Sequence, residues 1–297
     1  MADYTGYQAT LDSSTIKGIK SLSVSSDLQK VLYDGSGVFE AHGVATLKAD
    51  QRISLSSADL KSVIDAIGLL SVSLATKNLT VYAQKLLAGS TFATGASHVK
   101  FVCNKGIIYI DSISATLDQE ATISVSAIPT SDGVNPPIVP TDSVALSTLV
   151  RDSIRFTLGT VSVNSVAIPV QSVSINLGIQ AQPVGADGLP YHTEAYVSKR
   201  AISITITTND IGKAIVQKAE GLASAGDLII SFKKIAIGGT RVANATEEHI
   251  VFNVKGYQIN NSANDLSGAV GNATLMITPY WDGTNDAITV STASAIS

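Results

Sequence analysis

The sequence predicts a mainly β fold with one flanking helix per copy, arranged as two tandem domains of β-sandwich or partial-barrel type. Apolar and small polar residues alternate with a period of two over many short segments, which is typical of strands with one buried face. One amphipathic helical stripe follows such strands in each half. The chain also resembles itself when each residue is compared with the residue 151 positions later.

The internal resemblance is free of gaps where residues 19–64 align with residues 170–215. Nearer the chain ends the offset drifts by one residue. Chance alternation of β residues is the rival explanation, but a common register through strand, loop, strand and helix start favours a duplicated domain. Matching pairs include Gln29 with Gln180, Gly37 with Gly188, Asp59 with Asp210, and His98 with His249.

The repeat predicts a first domain over residues 1–130 and a second over residues 151–297. Between them, residues 131–150 contain Pro136, Pro137 and Pro140. Proline restricts φ and removes an amide donor, so this segment is predicted to be a semi-extended linker. Two repeats are too few for a solenoid, which favours two copies of a whole domain.

The first copy begins with Lys20–Ser26, which alternates as a half-buried strand does. Lys30–Asp50 is rich in turn residues and carries Asp34-Gly35-Ser36-Gly37 at its tip, which predicts a protruding loop or hairpin. Arg52–Ser56 alternates again and predicts the returning strand.

A helix is predicted next. Ser57 is a suitable N-cap, Asp59 suits the positive end of the helix dipole, and Gly68 is suited to end the helix. A one-sided apolar stripe indicates that the helix packs against a sheet. The stripe consists of Leu60, Val63, Ile64 and Ile67, and the second copy repeats the pattern with Thr208, Asp210, Ile211 and Ile215.

Further strands are predicted after each helix. In the first copy they are Leu79–Tyr82, Val99–Val102, Gly106–Ala115 and Ala121–Ile128. In the second copy they are Leu228–Lys233, Ile250–Val254 and Ala273–Pro279.

The composition indicates a subunit of an assembly. Charged residues make up 15% of the 297 residues, against about 25% in ordinary soluble proteins, while hydrophobic residues make up 45%. Few charges are left to solvate the surface, so we expect neighbouring copies to cover much of it; a monomer with a Ser/Thr surface is the alternative. The net charge of −4 argues against a basic nucleic-acid binder.

The sequence carries no recognisable catalytic pattern: no G-x-S-x-G elbow, P-loop, H-E-x-x-H or paired C-x-x-C. We therefore predict no enzyme activity, no catalytic or metal site and no cofactor. Cys103 is the single cysteine and is expected to be a buried thiol. The N-terminal segment shows neither the basic nor the apolar region of a signal peptide.

Three features invite a binding interpretation alongside a plainer one. His98 and His249 are equivalent and are either metal ligands or polar residues at strand starts. Asp282-Gly283-Thr284-Asn285-Asp286 begins like a calcium loop but lacks the later Gly and Glu of an EF-hand, which favours a turn. Tyr280-Trp281 either stacks on a sugar ring or packs within the protein.

Each copy resembles the tail tube proteins of long-tailed bacteriophages in the order of its elements and the placement of its loop. The domain of that family has two packed sheets, a helix on one flank, and a long loop or hairpin that reaches a neighbouring ring. The matching elements are Ile19–Ser25, Lys30–Asp50, Arg52–Ser56 and Ser57–Ile67, then Val170–Asn176, Ala181–Lys199, Ala201–Thr207 and Thr208–Gln217.

The resemblance implies a structural virion protein. In the family, the inner strands of six domains join into a continuous barrel around a pore, so a duplicated chain implies a pseudo-hexameric trimer that stacks into a tube. The implied partners are further copies of the chain, other tail proteins, the tape measure protein, and double-stranded DNA that passes through the lumen without specific binding. The implied location is the virion tail, after synthesis in the host cytoplasm, with no membrane partner.

Contacts between subunits are expected at the two glycine-tipped loops near Gly37 and Gly188. The candidate residues are Asp34, Gly35, Gly37, Phe39, Asp187, Gly188 and Tyr191.

A DNA conduit should not hold phosphate, so its lumen-facing strands are expected to lack an excess of Lys and Arg. Ser21–Ser26, Ser54–Ser57 and Gln171–Asn176 carry Ser, Asn and Gln opposite apolar positions, which suits a neutral wall. Any solvent-facing strand has a similar composition. The alternatives are therefore another assembly protein, such as a capsid decoration, tail-tip or surface-layer subunit, or a pair of carbohydrate-binding modules.

Overall fold

A computed structural model of the chain is mainly β, with several antiparallel sheets. It describes residues 3–34, 41–87, 91–146, 154–185, 188–210, 212, 223–224, 227–236, 238–265 and 271–296.

The described part of the first half contains eleven strands and the helix α1 (Leu60–Ile67). The strands are β1 (Asp3–Leu11), β2 (Ser14–Ile16), β3 (Ile19–Asp34), β4 (Ala41–Ser57), β5 (Ser71–Ser73), β6 (Leu79–Leu87), β7 (Thr91–Phe92), β8 (Ala96–Cys103), β9 (Gly106–Thr116), β10 (Thr122–Pro129) and β11 (Val139–Ala145).

The described part of the second half adds twelve strands. They are β12 (Arg155–Val163), β13 (Val166–Ile168), β14 (Ser172–Asn176), β15 (Ile179–Gly185), β16 (His192–Arg200), β17 (Ser203–Thr208), β18 (Ala223–Ser224), β19 (Leu228–Ile235), β20 (His249–Val254), β21 (Tyr257–Asp265), β22 (Asn272–Pro279) and β23 (Thr289–Ser294).

The two halves have the same strand order. The outer sheet of the first half runs β11-β8-β6-β1-β2, with β7 added to β6, and that of the second half runs β23-β20-β19-β12-β13. The inner strands form one ten-stranded sheet, ordered β18-β21-β22-β17-β14-β9-β10-β4-β3, with β5 added to β9. The order of pairing within each half of this sheet is also the same.

The inner sheet is continuous between the halves because β14 pairs antiparallel with β9. Ser172 is opposite Thr116 at one end of this junction, and Asn176 is opposite Ser112 at the other. One hydrophobic core runs through both halves, between the outer sheets and the inner sheet. Phe232 and Phe252 pack edge to face within the second half, with ring centroids 5.6 Å apart.

The helix α1 closes one flank of the core with the predicted apolar stripe buried. Its N-cap differs from the prediction. Asp59 Oδ1 accepts a 3.0 Å hydrogen bond from the Ser62 N–H, whereas Ser57 Oγ donates to the Lys17 carbonyl and accepts from the Asp59 N–H. Gly68 ends the helix with φ +75°.

In the second half, Thr208 Oγ1 donates to the Pro169 carbonyl and accepts from the Asp210 N–H at 3.0 Å, which reproduces the bonding of Ser57. The predicted helix residues Ile211 and Ile215 lie outside the described residues.

The segment Lys30–Asp50 is less turn-rich than predicted, because β3 and β4 pair along nearly their whole length as a long hairpin. We call residues 26–50 arm one, and the equivalent β15–β16 hairpin, residues 179–200, arm two. Arm two is separated from β14 at Gly178, which has φ +56° and whose added Cβ would collide with the Ala201 carbonyl. Asp27 holds the equivalent place in arm one, where β3 continues unbroken.

Part of the segment predicted as a linker belongs to the first outer sheet. Residues 139–145 form β11, which pairs with β8 from Val139 opposite Val102 to Ala145 opposite Ala96. Ile138 is buried, and its N–H donates to Gln51 Oε1 at 3.0 Å. The equivalent strand β23 pairs with β20 in the second outer sheet.

Candidate functional site

The outward face of the ten-stranded sheet is covered with hydroxyl groups. Strand alternation directs residues such as Leu55, Val125 and Ile175 into the core, so their neighbours face outward. The outward residues meet in cross-strand pairs of Ser and Thr. These pairs include Ser23–Ser54, Ser54–Ser126, Ser112–Ser124, Ser114–Ser174, Ser174–Thr205 and Ser172–Thr207.

Two charged residues of opposite sign, Arg52 and Asp111, lie near the middle of this hydroxyl face. Asp111 Oδ2 accepts a 2.5 Å hydrogen bond from Ser126 Oγ. Burial raises the pKa of the Asp111 carboxyl, and the bond from Ser126 opposes that shift. Burial and the Asp111 charge together raise the pKa of Tyr109, while Arg52 and Ser126 oppose them. The paired positions named above carry no charge, so the face is nearly neutral.

The strands near the two ends of the ten-stranded sheet are equivalent to the two strands that meet at its centre. Within the described residues, β3 pairs only with β4, leaving its segment Ser21–Ser25 with an open edge. At the other end, in the part of the chain that the structure describes, β18 covers only the start of β21, and Ala263–Asp265 pairs with β22 alone. Their equivalents at the centre of the sheet are β14 and the end of β9, which pair with each other.

Arm two lies across the first half. Its apolar residues Ile179, Ala181 and Ala195 cover Ile107, Tyr109 and Ile128, which are all buried. We call these three covered residues, together with Thr130 and Ser131, the first docking face. The tetrapeptide Ile107–Ile110 is entirely apolar. Such a run is a sequence signal for a strand covered on both faces, and our sequence analysis missed it.

Polar contacts hold arm two in this position. The Ser131 N–H donates to the His192 carbonyl at 2.7 Å, and Lys105 Nζ lies 2.7 Å from Glu194 Oε1. His192 Nε2 lies 3.0 Å from Asp50 Oδ1. One backbone hydrogen bond and the Lys105–Glu194 ion pair therefore join the two halves at the edge of the first docking face.

The predicted inter-subunit residues fall at the two arm tips. Asp34 ends β3, while Gly35, Gly37, Phe39 and Asp187 lie outside the described residues. Gly188 has φ +81°, and Tyr191 forms a parallel bridge with Ala49, whose N–H also donates to the Pro190 carbonyl at 2.7 Å. The tip of arm two thus contacts arm one of the same chain.

The remaining candidate residues have structural roles. His98 and His249 are buried, and each Nδ1 accepts a hydrogen bond from a backbone N–H. The Asp282 carboxylate accepts from the N–H groups of Thr284 and Asn285 and from the Asn285 side chain, which makes this segment a turn. Asp132 forms the same turn with Asn135 in the first half.

Cys103 is fully buried on β8, and burial raises the pKa of its thiol to about 12. Arg200, at the base of arm two, has buried Nε and Nη2 atoms that find no hydrogen-bond partner among the described residues. Burial lowers the pKa of Arg200, and the nearby Asp286 opposes this.

Within the described residues, no three His, Cys, Asp or Glu side chains cluster as metal ligands. A cleft of about 330 Å³ beside Leu117, β12 and β13 is lined by apolar residues and one threonine, with no titratable side chain. None of the described helical segments has the length and apolar character needed to span a membrane.

No protein-family model and no curated protein matches the chain. What the chain does must therefore follow from its own residues and geometry.

Proposed function

We propose that this chain is a structural subunit of a bacteriophage tail tube, and that three chains close into a pseudo-hexameric ring. The observation that carries the proposal is the junction between β9 and β14, by which the two halves of one chain join their inner sheets. If each half is a copy of one domain, the same junction can form between chains.

Duplication is supported by equivalent irregularities as well as by strand order. In arm one the register shifts after Gln29 and again after Tyr33, and in arm two it shifts after Gln180 and after Val184. The first shift in arm two therefore comes 151 residues after the first shift in arm one, and the second shifts are the same distance apart. Bulges at equivalent positions are hard to explain by independent origin, because each depends on local backbone detail.

The open edges support a closed ring. β3 of one chain is equivalent to β14, and the end of β21 is equivalent to the end of β9, so β3 of one chain can pair with β21 of the next. This contact is heterologous, since different surfaces meet. Closing the ring removes both unpaired edges, whereas an open sheet would leave them to aggregate.

The hydroxyl face supports a role in conducting DNA. In a closed ring with the outer sheets on the outside, the hydroxyl face lines the lumen. Its Ser and Thr residues carry no charge, and Arg52 and Asp111 balance each other, so it offers little attraction to phosphate. Other tail proteins and the tape measure protein are the further partners that this proposal implies.

Electron microscopy of the purified full-length chain tests the proposal. We expect rings with six similar lobes and a central hole, stacked into tubes at high concentration, and a mass of three chains per ring by light scattering. A protein that stays monomeric at all concentrations, or forms closed particles without a lumen, would contradict it. The second outcome would favour another assembly role such as capsid decoration.

An edge variant sharpens the test. Pro is not tolerated where a strand must donate to a ladder, so Ser23→Pro on the open edge of β3 should prevent ring closure. Thr141→Pro on the edge strand β11, which belongs to an outer sheet, is the matched control. Rings that form equally well with both variants would show that β3 does not take part in closure.

A further inference from the structure

Arm two and the first docking face provide a template for a second contact. Arm two buries Ile107, Tyr109 and Ile128 of the first half under Ile179, Ala181 and Ala195. The contact exists because β14, from which arm two continues, pairs with β9. Any copy of β3 that pairs with a copy of β21 would bring arm one next to the corresponding part of the second half.

The second half carries an uncovered counterpart of the first docking face. Strand pairing makes Gln258, Asn260 and Thr278 the equivalents of Ile107, Tyr109 and Ile128, because Ile259 pairs with Ile277 as Ile108 pairs with Ala127. All three are exposed. Tyr280 and Trp281 take the places of Thr130 and Ser131. We call these five residues the second docking face.

The two docking faces differ most in exposure at the residues that follow β10 in the first half and β22 in the second half. Ser131 is 4% exposed beneath arm two, whereas Trp281 is 67% exposed and Tyr280 is also exposed. An exposed Trp beside an exposed Tyr is the kind of apolar patch that marks an interaction site.

Arm one has an apolar face that nothing in the described chain covers. Leu28 and Val44 are equivalent to Ile179 and Ala195, yet they are 46% and 60% exposed. Leu47, at the bulge of β4, is also exposed. Exposed apolar side chains are therefore left open both on arm one and at the Tyr280–Trp281 rim of the second docking face.

From these observations we infer that arm one of each chain docks on the second docking face of a neighbouring copy, with Val44 against Tyr280 and Trp281. The inference rests on the proposed ring. The chain cannot make this contact with itself, because β3 and β21 lie near opposite ends of the ten-stranded sheet.

Side-chain size matches arm one to the second face. On the first face the large residue Tyr109 meets an arm with small Ala181 and Ala195. At the equivalent positions of the second face and arm one, Asn260 replaces Tyr109 while Lys30 and Val44 replace the alanines. At these positions bulk has moved from the face to the arm, so Lys30 and Val44 would be overpacked against Tyr109 of the first docking face.

The path of arm one decides where the contact is centred. Asp27 stands where arm two has Gly178, so β3 runs straight past the point at which arm two bends. Without that bend, arm one is expected to make its main contact nearer its tip, through Val44, at the rim formed by Trp281.

Trp281 is the single tryptophan of the chain, so its fluorescence reports on the second docking face directly. We expect a blue shift and reduced acrylamide quenching when the full-length protein assembles, followed in parallel by light scattering. Val44→Asp should abolish both changes and raise the dissociation constant of the assembly at least about tenfold, because a charge would be buried at the contact. Val134→Asp is the matched control, since Val134 is 90% exposed in the equivalent turn of the first half.

A disulfide test locates the contact. The Ser131 N–H donates to the His192 carbonyl where arm two meets the first docking face. Ala41 of arm one is equivalent to His192, and Trp281 of the second docking face is equivalent to Ser131. Ala41→Cys combined with Trp281→Cys should give covalent links between chains under mild oxidation, whereas Ala41→Cys with Val134→Cys should not. Rings that form while Trp281 stays fully quenchable, or without links, would overturn the docking but leave the ring intact. A protein that never assembles would overturn both proposals.

Discussion

His98 and His249 occupy the same position in two separate sheets: each buried Nδ1 accepts a 3.1 Å hydrogen bond from a backbone N–H, that of Lys85 in one sheet and Lys234 in the other. His249 Nε2 lies 2.9 Å from the Ala243 carbonyl, so Nε2 carries the proton and the ring is neutral when both bonds form. In each sheet the imidazole thus provides the hydrogen-bond acceptor for a lysine backbone N–H.

We expect His98→Ala and His249→Ala each to lower the free energy of unfolding by about 1–3 kcal/mol, because a buried N–H loses its acceptor. His→Asn at either position should retain more stability, since the Asn oxygen can accept the same bond. Urea denaturation of the four variants measures this. Equal losses for Ala and Asn would show that packing, and not the hydrogen bond, makes the contribution.

Asp59 joins the helix of the first half to the start of the second half. Its Oδ1 accepts from the Ser62 N–H at 3.0 Å and its Oδ2 from the Ile154 N–H at 2.9 Å. Asp59→Ala should lower the free energy of unfolding by about 1–3 kcal/mol, since it removes a helix cap and leaves a second amide unpaired. Asp65→Ala, on the exposed side of the same helix, should change it by less than about 1 kcal/mol. Thermal and chemical unfolding of both variants provide the comparison, and similar losses would refute the assigned role.

Asp132 should titrate at unusually low pH. Hydrogen bonds from the Asn135 backbone and side chain, and from the Val134 N–H, lower the pKa of its carboxyl to about 2. The folded-state pKa is below the unfolded value of about 3.9. The stabilisation is therefore present above the unfolded pKa and is lost as the pH falls towards 2.

Carboxyl chemical shifts in NMR measure this titration. Asn135→Ala should raise the pKa of Asp132 and leave that of Asp282, whose pKa is lowered by the equivalent bonds from Asn285, unchanged. A pKa of Asp132 that does not respond to Asn135→Ala would contradict the turn geometry.

The hydroxyl face should become a DNA-binding surface when it is made basic. We expect tubes with Ser54→Arg and Ser174→Arg to retain DNA at low salt, whereas wild-type tubes do not. Each new phosphate contact should steepen the dependence of log affinity on log salt by about 0.9. The control pair Thr141→Arg and Ser291→Arg adds the same charge to the outer sheets. Equal retention of DNA by both double variants would show that the hydroxyl face does not line the lumen.

Cys103 should be unreactive in the folded protein. Burial raises the pKa of its thiol to about 12, so the nucleophilic thiolate is scarce at neutral pH, and the sulfur is also shielded. A thiol reagent should modify the chain only after denaturant is added. Because the folded pKa is raised, this group's contribution to stability should be present below its unfolded pKa and lost as the pH rises towards 12. Rapid labelling of the native protein would contradict its burial.

Local pattern was enough to predict the mainly β fold, because period-two alternation decides which side chains of a strand face the core. The apolar stripe of α1 was also predicted from local pattern, because apolar residues spaced three or four apart lie on one face of a helix. The predicted N-cap, Ser57, lies two residues before the observed N-cap, Asp59. Ser57 and Asp59 are both good capping residues, and the choice depended on Lys17, whose carbonyl accepts from Ser57.

Non-local pairing decided the rest. β11 was predicted as part of the linker because Pro136, Pro137 and Pro140 have no amide donors, yet its partner β8 and the buried Ile138 hold it in the sheet. The coverage of Ile107 and Tyr109 was missed, because an outward side chain in a strand is buried only if another segment crosses it. That segment, arm two, lies more than fifty residues further along the chain.

By itself, the sequence determined which residues alternate, where the helix of the first half lies, and that two stretches share one register, since each of these depends on neighbours along the chain. The tertiary structure alone decided that β14 joins β9, that arm two covers the first half, and that arm one and Trp281 are left exposed. Those outcomes depend on which strand edges meet in space, and hydrogen-bonding edges are alike in every strand whatever the side chains.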